Sequence, residues 1–296
     1  MQSPIFSICL GGRLHSWSRP AVMGIINVTP DSFYEGSRVD SCDAPDLLAA
    51  RVRQMVADGA DIIDVGGYST RPGCADVSAF DELRRLDAAM EVIRSEAPDI
   101  PVSVDTFRAS VASDIVSRHG AVIINDISGG NHSGEDIWRL AADRRLPYVL
   151  MHMRGATPAR MMDDTAYSPG AVAATVMREL APALHRLSLL GVSDVIVDPG
   201  FGFSKTTGQN LELLRSLPLF AALERPLLVG VSRKSMLTKP LSLSPSEALN
   251  ATTVANTIAL LGGASILRVH DVAEARQAVN LVSLTFPNLH SSSIPS

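Results

Sequence analysis

Residues 24–33, GIINVTPDSF, begin as an apolar run and turn polar at Asn27, just before a Thr-Pro-Asp step. The run is the first of eight that have strand length and end in the same way. They are AVMGIINV, ADIIDVGG, IPVSVDT, AVIIND, LPYVLMH, VIVDPGF, PLLVGVS and SILRVH. Apolar residues that are continuous, and do not alternate with polar ones, are typical of strands buried on both faces of a parallel sheet. The pattern therefore predicts eight buried parallel strands.

The gaps between these runs are long enough for one helix each, and several begin with helix start signals. Ser244 is followed three residues later by Glu247, and Asp271 by Glu274, which is the spacing of an N-cap with its acidic partner. Eight β-then-α units with right-handed crossovers predict a (β/α)₈ barrel, that is, a TIM barrel. A doubly wound open sheet is the alternative, since the strand pattern does not report whether the sheet closes.

The domain organisation expected from this pattern is a single α/β domain. Residues 1–20 form a short N-terminal lead-in, residues 21–287 the barrel, and residues 288–296 a flexible, Ser-rich C-terminal tail. No linker-like stretch or internal repeat divides the middle of the chain.

Composition narrows the classes of function. A net charge of −5 over 296 residues gives no broad basic surface for nucleic acid or for an anionic membrane. The three cysteines lack C-x-x-C spacing, so neither a zinc site nor a disulfide framework is indicated. No signal peptide is recognisable, and no apolar run approaches the roughly 18 residues of a membrane span. We expect a cytoplasmic protein that acts on small molecules.

Polar side chains stand where the eight runs end, which is where TIM barrels place their chemistry. They are Asn27, Asp64, Asp105, Asn125 with Asp126, His152, Asp198, Ser232 with Arg233 and Lys234, and Arg268 with His270. Each one alone is better explained as a helix cap or a turn residue, because such residues are common. Together they predict a pocket for a polar ligand, because unpaired buried polar groups are costly.

The residue types indicate what that ligand carries. Asp105, Asn125 and Asp198 offer hydrogen-bond acceptors that suit a heterocycle edge with ring N–H and NH₂ donors. Lys234, Arg268 and His270 follow strands 7 and 8, the usual phosphate corner of the fold, and are expected to supply its positive charge. The pocket is therefore expected to hold a base-like ring and an anion.

Seven motifs resemble, in order and spacing, the dihydropteroate synthases of folate biosynthesis. They are MGIINVTPDSF, DIIDVGGYSTRPG, VSVDT, INDISGG, DPGFGF, VGVSRKSML and ILRVHDV, and the match runs from about residue 20 to 284. The resemblance implies a transferase that condenses 6-hydroxymethyl-7,8-dihydropterin pyrophosphate with para-aminobenzoate, releasing pyrophosphate and dihydropteroate. Sulfonamides would compete with para-aminobenzoate, and Mg²⁺ would be the cofactor.

The resemblance also assigns residues. The pterin would contact Asp105, Asn125, Met151, Asp198, Phe203, Lys234 and Arg268. The pyrophosphate would contact Asn27, Ser69, Arg71, Arg268 and His270, with Asn27 also bound to Mg²⁺. Para-aminobenzoate would lie against Phe33, Thr70, Pro72 and Ser235. The residues expected to act in catalysis are Asn27, Arg71, Lys234, Arg268 and His270.

Four positions depart from the family pattern: Tyr68 stands where glutamate is most common, Tyr34 and Glu35 replace a usual Ser-Asp, and Phe107 follows SVDT. They bear on aminobenzoate affinity and sulfonamide sensitivity.

Two other functions stay open, a methyltetrahydrofolate-corrinoid methyltransferase and a non-catalytic pterin-binding paralogue. The basic motifs STRPG, SRKS and RVH argue against the first, and the retained catalytic positions against the second. The family implies a homodimer, for which TTVANTIALLGG is apolar enough, although a buried core helix would look the same.

Overall fold

A computed structural model describes residues 5–29, 45–68, 77–155, 165–287 and 289. The chain starts with an antiparallel hairpin, β1 (Phe6–Leu10) and β2 (Arg13–Trp17), in which Phe6 pairs with Trp17. Gly11 and Gly12 make its turn with φ of +60° and +79°, values that glycine adopts without strain. The expected lead-in thus has regular structure.

Eight parallel strands follow, one for each predicted apolar run. They are β3 (Ala21–Asn27), β4 (Ile62–Gly66), β5 (Val102–Asp105), β6 (Ile123–Asp126), β7 (Tyr148–Met151), β8 (Val195–Asp198), β9 (Leu228–Val229) and β10 (Ile266–Val269). Each pairs with the next in the order β8-β7-β6-β5-β4-β3-β10-β9. The two ends of this sheet meet through a parallel bridge between Val197 and Leu227. The sheet therefore curls round to a barrel, as predicted, and the open-sheet alternative is wrong.

The helices lie between successive strands, on the outside of the barrel. They are α1 (Pro45–Ala57), α2 (Ala79–Glu96), α3 (Ala109–His119), α4 (Glu135–Arg144), α5 (Val172–Leu190), α6 (Thr207–Arg215), α7 (Ser235–Leu241), α8 (Leu249–Leu261) and α9 (Val272–Thr285). Two 3₁₀ helices, Leu217–Leu223 and Pro245–Glu247, precede β9 and α8. Among the described residues, no helix combines the length and apolar character that crossing a membrane requires.

The core has two layers. The outward-facing strand residues pack against the helices, while a separate cluster fills the barrel interior near the amino ends of the strands. Phe6, Ile8 and Leu10 of the hairpin belong to this inner cluster, so the hairpin closes the barrel at that end. The carboxyl ends of the strands form the opposite mouth, where the polar strand-end residues lie.

Candidate active site

A buried network of carboxylates and one arginine occupies the barrel mouth. Arg268, at the third position of β10, donates from Nε to Asp64 Oδ2 over 2.8 Å and from Nη2 to Asp105 Oδ2 over 2.9 Å. Asp64 Oδ1 accepts from Ser103 Oγ at 2.6 Å and from Asn125 Nδ2 at 3.1 Å. The Asp64 side chain is fully buried, and these three donors satisfy its two oxygens.

Asp105 is the carboxylate in this network that remains open to a ligand. Its side chain is 17% exposed, compared with 0% for Asp64. Burial raises the pKa of Asp105 to about 7, and Arg268 only partly opposes that rise. Asn125 donates its amide N–H to Asp64, so its carbonyl oxygen is the atom left to accept from a ligand. The two side chains together present acceptors toward the mouth.

Asp198 lies on the other side of the mouth, at the end of β8. Its Oδ1 accepts from the Gly200 N–H at 2.7 Å, and burial raises the pKa of the carboxyl group. Lys234 is nearby: its Nζ donates to the Phe201 carbonyl at 2.6 Å and stands 4.9 Å from the centre of the Phe203 ring. Burial lowers the pKa of Lys234 to about 8. The site thus pairs a carboxylate with an ammonium group beside an aromatic face.

His270 differs from the expectation that it adds a positive charge. Burial, followed by the charge of Arg268, lowers its pKa to about 3, so the imidazole is neutral. Ser232 Oγ accepts the His270 backbone N–H at 3.3 Å and lies 2.9 Å from His270 Nδ1. We assign the hydroxyl proton to the hydrogen bond with Nδ1, an assignment that makes Nε2–H a neutral donor.

An apolar wall completes the mouth. It consists of Phe107, Ile127, Met151 and Met153, with Tyr68 and Phe203 packed against them. Tyr68 and Phe107, two of the four departures from the family pattern, contact each other edge to face at 5.0 Å. The Arg108 guanidinium lies 5.2 Å from the Tyr68 ring and 5.0 Å from the Phe107 ring, and it pairs with buried Glu82. The two substitutions therefore form one aromatic unit.

Known proteins with similar sequences show the family to which the chain belongs. A family model described as pterin binding enzyme matches residues 23–270. The dihydropteroate synthase of Synechocystis sp. is 41% identical over 272 residues, covering 90% of this chain and 91% of that protein. The dihydropteroate synthase of Bacillus subtilis is 40% identical over 260 residues, covering 87% and 86%. The chain belongs to the dihydropteroate synthase family.

Solved structures of dihydropteroate synthases share the fold. The Yersinia pestis enzyme, in a sulfonamide drug complex, has a TM-score of 0.84 at 36% identity, covering 95% of this chain and 100% of that one. The Coxiella burnetii enzyme, in complex with pteroic acid, has a TM-score of 0.83 at 35% identity, covering 95% and 98%.

The structure brings together most of the described residues that were predicted to form a dihydropteroate synthase site. Asp105, Asn125, Met151, Asp198, Phe203, Lys234, Arg268 and His270 all lie at the barrel mouth. Asn27 ends β3 in register with Gly66 and is half-buried, and Ser235 is exposed as the first residue of α7. Phe33, Ser69, Thr70, Arg71 and Pro72, together with Tyr34 and Glu35, lie outside the described residues.

Some strand-end residues have structural roles instead. Asp126 faces outward and accepts from Tyr148, Ser128 and the Gly130 N–H. Arg233 turns away from the mouth at φ +56° and forms a two-point ion pair with Asp271. Asp271 therefore neutralises an arginine, and the expected cap hydrogen bond from its side chain is not formed.

Sequence reasoning left three site residues without a role. Asp64 was noted only as a strand end, while Ser103 and Lys205 were not singled out. Ser103 stands two positions before Asp105, on the same inward face of β5, so strand alternation could have identified it. Lys205 follows the DPGFGF motif, and nothing in the local pattern distinguishes it from a surface lysine.

Proposed function

We propose that this chain is a transferase that joins 6-hydroxymethyl-7,8-dihydropterin pyrophosphate to para-aminobenzoate, forming 7,8-dihydropteroate and pyrophosphate. The observation that carries the proposal is the set of acceptors at the mouth, Asp105, Asn125 and Asp198, placed beside an apolar Met and aromatic wall. Relatives of this fold were solved with 4-aminobenzoate and with 7,8-dihydropteroate.

The acceptor set suits the pterin ring. The ring carries N–H and NH₂ donors on its pyrimidine edge, and buried acceptors discriminate strongly in favour of a ligand that supplies donors. Met151 and Phe203 provide the apolar and aromatic surface for the flat faces of the ring. Ligand donors at Asp105 would favour its ionised form, so binding would lower the pKa of that carboxyl group.

Charge at the mouth indicates how the pyrophosphate is bound. In the described part of the mouth, Lys234 and Arg268 are balanced by the carboxylates of Asp64, Asp105 and Asp198, and His270 is neutral. A pyrophosphate group therefore needs additional positive charge. We propose that Arg71 and Mg²⁺ supply it, with Asn27, Ser69, Arg268 and the Nε2–H of His270 as further contacts.

The described residues fit a magnesium ion that arrives with its substrate. They include no group of three or more His, Cys, Asp or Glu side chains placed to hold a metal, and Asp64 and Asp105 are engaged by Arg268. Mg²⁺ commonly keeps several waters and takes ligands from substrate phosphates, so one carboxamide oxygen from Asn27 suffices as its protein ligand. When bound, the ion would neutralise charge on the leaving pyrophosphate.

The carboxylates would assist the chemistry through charge. Departure of pyrophosphate leaves positive charge on the CH₂ group and the pterin ring, and no protein nucleophile is required. Asp105 and Asp198 are already held by Arg268 and Gly200, so at the ring they would stabilise that charge without reorganising. Phe33, Thr70, Pro72 and Ser235 would then hold para-aminobenzoate with its amine toward the CH₂ carbon, which lowers the entropic barrier to attack.

We also propose a homodimer formed through α8 and α9. Val254, Ile258 and Leu261 on α8, with Leu281 and Leu284 on α9, are between 42% and 81% exposed. These two helices pack side by side, so the residues lie on neighbouring outer surfaces. Exposed apolar residues grouped in this way mark an interaction surface. Ile258→Glu should convert a dimer to a monomer in sedimentation measurements.

We also propose a cytoplasmic location, which the cysteine pattern supports.

The test of the function is formation of dihydropteroate from the pterin pyrophosphate and labelled para-aminobenzoate, with and without Mg²⁺. Product that requires Mg²⁺ is the expected result. Asp198→Asn should abolish it, whereas Asp194→Asn, at the opposite end of β8, should leave it unchanged. Pterin binding without product would overturn the proposal in favour of a non-catalytic pterin-binding protein. Methyl transfer from methyltetrahydrofolate to a corrinoid would overturn it in favour of the methyltransferase.

A further inference from the structure

Lys205 is a buried cation next to the pocket to which neither the motif comparison nor the proposed chemistry gives a role. It is 3% exposed and lies between β8 and α6. Its Nζ donates to the Gly200 carbonyl at 3.0 Å and to the Phe203 carbonyl at 3.1 Å. The third partner is His152 Nδ1, at 3.1 Å. Three acceptors thus converge on the three N–H donors of one ammonium group.

His152 links this lysine to helix α5. The imidazole is buried, and burial followed by the charge of Lys205 lowers its pKa to about 4. Because Nδ1 accepts from the ammonium group, the ring proton is on Nε2, which donates to Glu179 Oε2 at 2.8 Å. Arg154 holds the same carboxylate with two nitrogens, at 3.0 Å and 2.6 Å. The tautomer of His152 is therefore fixed from both sides.

The segment that Lys205 secures, residues 199–204, is attached to the chain following β7 at further points. Ser204 Oγ donates to the Arg154 carbonyl at 2.7 Å and accepts the Arg154 N–H at 2.9 Å. The His152 N–H donates to the Asp198 carbonyl at 2.9 Å. A Cβ added at Gly200 would lie 1.9 Å from the His152 carbonyl oxygen, so the two segments are in direct contact. These contacts join the two segments.

Residues 199–204 contact several of the side chains that form the pocket. Gly200 donates to the Asp198 carboxylate, the Phe201 carbonyl accepts from Lys234, and Phe203 presents its ring to the same ammonium group. A shift of the segment would therefore displace a carboxylate, a cation and an aromatic ring together. Burying Lys205 is itself costly, and burial lowers its pKa to about 7. An apolar residue would avoid that cost but would leave buried acceptors without a donor.

We propose that Lys205 is a positioning residue for pterin recognition, which holds residues 199–204 against His152 so that Asp198, Phe203 and Lys234 face the ring. The proposal deepens the proposed function and rests on it. Lys205 acts through the segment and does not contact the substrate. Its loss should weaken binding of the pterin and leave binding of para-aminobenzoate unchanged, since the residues assigned to para-aminobenzoate lie outside residues 199–204.

The experiment compares Lys205→Met with Lys239→Met, a matched change at an exposed lysine. The affinity for dihydropteroate and the KM for each substrate are measured on full-length protein. Lys205→Met should raise the KM for the pterin pyrophosphate and the Kd for dihydropteroate about tenfold or more, as expected when buried acceptors lose a donor. The KM for para-aminobenzoate should not change. A folded Lys205→Met protein with both KM values like those of Lys239→Met would overturn the proposal.

A spectroscopic measurement separates positioning from a general loss of packing. In the unsubstituted protein, ¹⁵N spectra should show His152 as the Nε2–H tautomer held by Glu179, and Lys205→Met should raise the pKa of His152 because it removes the cation beside Nδ1. If Lys205→Met does not fold, Lys205→Gln retains two donors and should give an intermediate Kd for dihydropteroate. An unchanged Kd in that variant would count against the role. Failure of the unsubstituted protein to bind any pterin would refute the proposed function instead.

Discussion

Replacing Asp105 by asparagine should make the unliganded protein more stable while weakening pterin binding. The pKa of Asp105 is raised from its usual value of 3.8 to about 7, mainly by burial. An ionised Asp105 therefore destabilises the folded state by up to ~4 kcal/mol, at ~1.4 kcal/mol per pKa unit. Asparagine has the same shape and can still accept from Arg268, but it carries no charge to be desolvated.

The gain depends on pH in a defined direction. Below the unfolded pKa near 3.8, the carboxyl group is protonated in both states and costs nothing. Between that pH and about 7, the folded state holds the proton more tightly, so stability falls as the pH rises. Above pH 7 the full cost applies. Asp105→Asn should therefore be most stabilising near pH 8 and nearly neutral near pH 4.

The assay is thermal and urea unfolding of Asp105→Asn, with Asp99→Asn as the control. Asp99 is 88% exposed and pairs with Arg13 over 3.3 Å, so its loss should have little effect. Because the Asp105 side chain is 17% exposed, we expect a gain of about 2–4 kcal/mol at pH 8, or about 3–6 °C in Tm. No gain at pH 8, or a gain that does not shrink toward pH 4, would refute this reasoning.

Three further changes test other parts of the site. Gly200→Ala should prevent folding or pterin binding, because the added Cβ would lie 1.9 Å from the His152 carbonyl oxygen and residue 200 has a φ of +72°. A folded variant whose pterin affinity is unchanged in calorimetry would contradict this packing. Asn27→Ala should weaken Mg²⁺-dependent binding of the pterin pyrophosphate more than binding of dihydropteroate; equal losses would remove the metal role. Ser232→Ala should release His270 from the Nε2–H tautomer in ¹⁵N spectra and raise the KM for the pterin pyrophosphate; an unchanged tautomer would show that other contacts set it.

The sequence determined the strands and the residues at their ends. Each strand is buried on both faces, so its apolar run is continuous and needs no knowledge of the neighbours to be recognised. The polar residue that ends each run is local information too, and Asn27, Asp105 and Asp198 were identified in this way. The start signal at Ser244 is also local: its capping box forms, although on the 3₁₀ turn Pro245–Glu247 ahead of α8.

Tertiary structure decided which polar residues share the site and in what state of charge. Arg268 is 204 residues from Asp64 and 163 from Asp105, and only closure of the barrel brings the three side chains together. Closure also turned Asp126 outward and Arg233 away from the mouth toward Asp271. A continuous apolar run does not report which face of its strand points inward, because both faces are buried.

Long-range contacts also explain why His270 is neutral and why the sequence alone did not identify Lys205. A pKa depends on burial and on charges brought close by folding, and neither is encoded within a few residues of the titrating group. His270 loses its charge because burial and Arg268 disfavour the protonated imidazole. Lys205 gains its role from carbonyls and an imidazole that converge only when the chain following β8 packs against the end of β7. Local sequence fixed the chemical groups of this protein, and long-range packing fixed their partners and their protonation.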